Sequence, residues 1–109
     1  MLEESLIIYK LMTTEDKPVF KGTYYEIDGA INQPKPFQKP YPPLWVCGGG
    51  EKVTLKLLAR HGDYGNWDVD VEGFKHKSKI LQEHCKNENR DYSEIGRTLH
   101  TNVLIGKDK

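Results

Sequence analysis

The chain has 109 residues, 37% of them hydrophobic, and its 16 Lys and Arg balance 16 Asp and Glu for a formal net charge of zero. That length holds at most one small domain with a modest core, and the absence of a net field leaves no reason to expect nucleic acid or an anionic membrane as partner. With no run of about 18 apolar residues, no signal-peptide pattern, and two distant cysteines, Cys47 and Cys85, that suggest neither a disulfide framework nor a zinc site, a soluble cytoplasmic protein is expected.

Residues 2–12 hold Leu2, Leu6, Ile7, Ile8, Tyr9, Leu11 and Met12 behind early acids, which predicts a helix buried on more than one side. Residues 19–29 are rich in aromatic and β-branched side chains and predict a short β ribbon, with Tyr24 and Tyr25 on opposite sides if extended. Packing on a neighbouring helix is favoured for these tyrosines over lining a pocket. Residues 30–43 carry Pro34, Pro36, Pro40, Pro42 and Pro43 and read as a semi-rigid connector rather than a binding-module ligand.

Leu44 to Cys47 is too short an apolar run for a helix and suits a strand of a parallel sheet, covered on both faces. Gly48, Gly49 and Gly50 then allow a sharp turn with exposed N–H groups, and the helix that follows points its positive end into the turn. Such a turn can hold a phosphate, or it can simply join strand to helix. It matches neither the P-loop nor the dinucleotide-binding spacing, so the motif leaves the ligand open.

The helix after the turn has Val53, Leu55, Leu58 and Ala59 on its buried stripe and Gly62 as its stop. Lys56 and Arg60 read as a solvated face, whereas Lys52, in the first turn, is placed to reach an anion. A second strand is expected over 63–67, its end facing the glycine turn. Val71 to Asn87 forms the strongest helical pattern, with Phe74, Ser78, Leu81 and Cys85 inward; His76 and His84, eight apart, read as surface residues. A short helical piece at 93–95 and a third strand over 98–105, with His100, Asn102 and Leu104 on one face, complete a βαβαβ pattern over 44–109. That pattern makes a parallel α/β sheet with ligand sites past the strand ends.

The blocks Phe20-x-Gly22-x-Tyr24-Tyr25-x-Ile27, Pro34-Lys35-Pro36-x-Gln38-x-Pro40 and Pro42-Pro43-Leu44-Trp45-Val46-x-Gly48-Gly49-Gly50-Glu51-Lys52 with Leu55 together resemble the central to late part of the luciferase-like monooxygenase superfamily. The resemblance continues through Ala59-Arg60-His61-Gly62-Asp63-x-x-Asn66, Leu81-x-x-His84-Cys85 and Arg90-Asp91. It is most similar, around Gly62 to Asn66, to the branch that uses a 5-deazaflavin coenzyme in place of FMN.

The resemblance implies a partial TIM (β/α)8 barrel: about three parallel strand–helix units behind an N-terminal helix and a short β ribbon, all within a single domain. It also implies that Gly48, Gly49, Gly50 and Lys52 meet the coenzyme phosphate and that Asn66 lies near the cofactor. The family's proton-handling residues belong to early strands that have no counterpart in this sequence. The expectation is therefore a fragment of a flavin- or deazaflavin-dependent oxidoreductase, inactive alone, with no catalytic residue assigned. The alternative is a non-enzymatic, self-associating structural module. A small flavodoxin-like domain is a weaker third reading. The exposed strand edges of an open barrel favour a homo-oligomer, most simply a dimer.

Overall fold

The computed structural model describes residues 1–107, which divide into two compact units, Met1–Pro43 and the residues from Leu44 onward.

In the first unit, helix α1 spans Leu2–Thr14, two residues beyond the predicted end. Only Leu6 and Thr13 are buried, so α1 is less enclosed than its apolar content suggests. The helix end is closed by its neighbours: Asn32 Nδ2 and Lys35 Nζ donate to the Met12 carbonyl at 3.1 and 3.0 Å. These bonds satisfy an oxygen that the last helical turn leaves without a partner, and they hold the proline-rich connector to α1. Strands β1 (Val19–Lys21) and β2 (Glu26–Asp28) pair antiparallel, with Phe20 opposite Ile27. Tyr24 and Tyr25 lie in the turn between these strands rather than in an extended ribbon. That turn is filled from α1. Glu4 Oε1 accepts the Thr23 N–H at 2.8 Å, and Oε2 accepts those of Tyr24 and Tyr25 at 2.9 and 3.0 Å.

In the second unit, β3 (Trp45–Cys47), α2 (Thr54–His61), β4 (Tyr64–Asp68), α3 (Val71–Asn87) and β5 (Gly96–His100) follow in order, with a 3₁₀ turn at Tyr92–Glu94. The strands form a parallel sheet in the order β3-β4-β5, with Cys47 beside Asn66 and Asn66 beside Thr98. Asp70 starts α3 by accepting the Gly73 N–H at 2.7 Å, and Gly62 ends α2 by donating to the Leu58 carbonyl at 2.9 Å. Leu55, Leu57, Leu58, Ala59, Leu81, Cys85 and Ile95 are buried with Val46 and Trp67 of the sheet. Helix α2 comes up tightly against the sheet at Gly65, where a Cβ would lie 2.5 Å from Leu58 Cδ2. Truncating Leu58 to Ala would cost about 3 kcal/mol, since it is fully buried and the cavity cannot close against a sheet.

Three expectations fail here for identifiable reasons. The strand after Pro43 is covered on one face only: Val46 is buried, but Trp45 and Cys47 are exposed. The bare face continues through Tyr64 and His100, where Trp45 and Tyr64 stack at 4.6 Å. Helix α2 begins at Thr54, so Val53 precedes the buried stripe and is 63% exposed. Arg60 does lie on an exposed face, where its guanidinium forks onto Glu88 at 2.8 and 2.9 Å. The third strand starts at Gly96 and ends at His100; Asn102 and Leu104 belong to no strand among the described residues.

Candidate functional site

The parallel register brings the end of β3, Cys47, beside Asn66 in the middle of β4, which runs two residues further. Gly48, at φ +115°, makes the turn after β3 in a backbone region L side chains rarely adopt, and its N–H donates to the Asn66 carbonyl at 3.4 Å. Gly50 O accepts the Leu55 N–H at 2.9 Å, which ties the turn to α2. Among the described residues, none accepts a hydrogen bond from the N–H groups of Gly49, Gly50, Glu51 or Lys52.

The turn is braced from α3. Lys77 Nζ donates to the Gly49 carbonyl at 2.7 Å and lies 3.4 Å from Glu51 Oε1. His76 Nε2 is 3.1 Å from the same carboxylate oxygen, and His84 Nε2 donates to the Glu51 carbonyl across 2.8 Å. The two histidines read from sequence as plain surface residues therefore hold Glu51. Their spacing, with Lys77 seven residues before His84, puts Lys77 and His84 on one helix face, but nothing in the sequence says which loop that face meets.

Gly48, Gly49 and Gly50 thus follow the end of β3, and Asn66, midway along β4 rather than at its end, meets the turn through its carbonyl. Lys52 is exposed, lies before α2 rather than in its first turn, and makes no ion pair among the described residues. The Asn66 side chain is turned along the sheet: its Oδ1 accepts the Thr98 hydroxyl at 2.8 Å, leaving the amide nitrogen available as a donor. Chemically, a run of backbone N–H groups beside an ammonium suits an oxyanion such as phosphate. Close packing favours the same use. A Cβ at Gly49 would meet Lys77 Nζ at 3.2 Å, and one at Gly50 would meet Thr54 Oγ1 at 2.8 Å.

Elsewhere, Asp91 is held below its ordinary range by the side chain and N–H of Ser93, while burial pushes the Cys85 thiol up. Among the described residues, no three His, Cys, Asp or Glu side chains gather as a metal site, and no helix is long and apolar enough to cross a membrane.

Solved structures of other proteins share this fold, three of them as follows. An F420-dependent secondary alcohol dehydrogenase in complex with an F420–acetone adduct is 25% identical, with a TM-score of 0.75 over 91% of this chain and 30% of that one. The coenzyme F420-dependent tetrahydromethanopterin reductase from Methanopyrus kandleri gives a TM-score of 0.76 at 18% identity, over 92% of this chain and 28% of that one. The monooxygenase RslO1 from Streptomyces bottropensis gives 0.62 at 15% identity, over 81% and 28%. The chain therefore spans less than a third of the length of the structures it matches, as a partial α/β barrel with parallel strands. No curated protein matches it in sequence. The luciferase-like monooxygenase pattern matches residues 1–109, and the chain belongs to that family.

Proposed function

We propose that this chain is the coenzyme-phosphate-binding part of a 5-deazaflavin-dependent oxidoreductase, and that it is inactive by itself. The observation that carries this reading is the glycine turn, whose N–H groups at 49–52 have no protein acceptor among the described residues and which sits against the Lys77 ammonium. The residues fit a phosphate. Gly49, Gly50, Glu51 and Lys52 offer N–H groups, Gly48 supplies the turn, and Asn66 offers an amide midway along the adjoining strand, beside Cys47. Deazaflavin is favoured over FMN because two of the structures above are named for F420.

When bound, the deazaflavin supplies a ring carbon that exchanges hydride with substrate. The chain's own contribution is to anchor and orient. Efficient hydride transfer needs the reacting carbons held together on a walled ring, and an open three-stranded sheet walls only one side. The bare sheet face with Trp45 and Tyr64, together with the free edges of β3 and β5, favours self-association, most simply as a dimer.

The test is a fluorescence titration of the folded chain with coenzyme F420, run beside FMN and beside Gly49→Asp. Saturable F420 binding that the substitution abolishes, without turnover of alcohols, is the expected result. No binding of either coenzyme up to millimolar concentration would reject the coenzyme site and favour the self-associating structural module, for which the bare sheet face is the supporting observation.

A further inference from the structure

Granting the phosphate site proposed above, on which this rests, we infer that Lys77 supplies the positive charge for the phosphate, a role that sequence position gives to Lys52. The Lys77 side chain is 13% exposed, its stem packed down so that the ammonium is held at the turn. An ammonium has three donors; Gly49 O takes one at 2.7 Å, and Glu51 Oε1, at 3.4 Å, is a long second partner. That carboxylate is 42% exposed and also serves His76. A half-buried cation with one firm acceptor and a distant, shared carboxylate keeps donor capacity for an anion on the adjoining N–H groups.

Position 49 serves the same end. A Cβ there would lie 3.2 Å from both Cε and Nζ of Lys77, so glycine is what lets the ammonium come up against the turn. Glu51 is the opposing charge, and His76 remains with it when Lys77 turns to a phosphate. Lys52, by contrast, is exposed, so any charge it offers is screened by water and salt.

Lys77 also braces the turn, so the experiment must separate charge from support. Coenzyme F420 and its phosphate-free ribityl-deazaflavin are titrated against wild type, Lys77→Met, Lys77→Arg and Lys52→Met, each shown to be folded by circular dichroism. Lys77→Met should weaken F420 by about tenfold or more, the scale of one charge-assisted hydrogen bond, and leave the phosphate-free compound unchanged. Lys77→Arg should restore F420 binding to within a few-fold of wild type, and Lys52→Met should change it less than about twofold. Equal loss of both ligands in Lys77→Met would reduce Lys77 to a brace and overturn the inference. So would F420 binding by Lys77→Met within twofold of wild type, which leaves the phosphate site standing. No F420 binding by wild type would overturn both.

Discussion

The molecule builds two clusters of backbone N–H groups and treats them in opposite ways. In the turn at 23–25, three consecutive N–H groups converge on the carboxylate of Glu4, an anion supplied by the chain. In the turn at 48–52 the nearest carboxylate, that of Glu51, faces His76 and Lys77 instead of the N–H groups beside it. The first cluster is finished by folding. The second is braced by α3, yet its donors point to no protein acceptor among the described residues. On the function proposed above, the difference separates a structural use of oriented amides from a binding use: identical chemistry, with the acceptor internal in one and external in the other.

The comparison can be broken most strongly at Gly48. Gly48→Ala forces a side chain into φ +115° and should cost about 2 kcal/mol, read as a lower urea midpoint at unchanged slope. Gly49→Asp would convert the open cluster into a filled one by setting a carboxylate against Lys77. F420 affinity should fall about tenfold or more while stability moves by less than about 0.5 kcal/mol, by titration and thermal melting respectively. His84→Ala removes the bond to the Glu51 carbonyl and should cost about 1 kcal/mol, with faster amide exchange confined to residues 49–53.

The smallest effect is expected at the filled cluster. Desolvation raises the Glu4 pKa, but the N–H groups of Tyr24, Thr23 and Tyr25 together outweigh it, and the folded value falls below the ordinary 4.5. The carboxylate therefore stabilises the first unit above that ordinary value, and the contribution is lost as pH falls through the folded one. Glu4→Gln should lower the melting temperature at pH 7 and remove this acid-dependent step, as followed by the Tyr24 and Tyr25 amide signals.

Much of the second unit was legible in the sequence because local signals agree there. The α3 limits, Val71 and Asn87, follow from a sustained helical period, and Asp70 caps its start. Gly62 marks the end of α2. What was not legible depends on neighbours. The apolar run from Leu44 to Cys47 says that a strand is buried, but it does not say on which faces, and among the described residues only Val46 is covered while Trp45 and Cys47 are exposed. The β-branched residues after His100 favour extension, yet a strand ends where its partner ends, at Asp68. Lys52 was chosen because it adjoins the glycines in sequence; Lys77 reaches them from 28 residues away through the packing of α3. Contacts across that separation leave no trace in one sequence.

The unequal thiols of β3 and α3 have a practical consequence. Cys85 is sealed in the core, with burial pushing its thiol up, whereas Cys47 stands exposed immediately before Gly48. A maleimide dye added to the native protein near neutral pH will therefore find one address rather than two. A label there becomes an optical gauge beside the glycine turn, installed without any substitution.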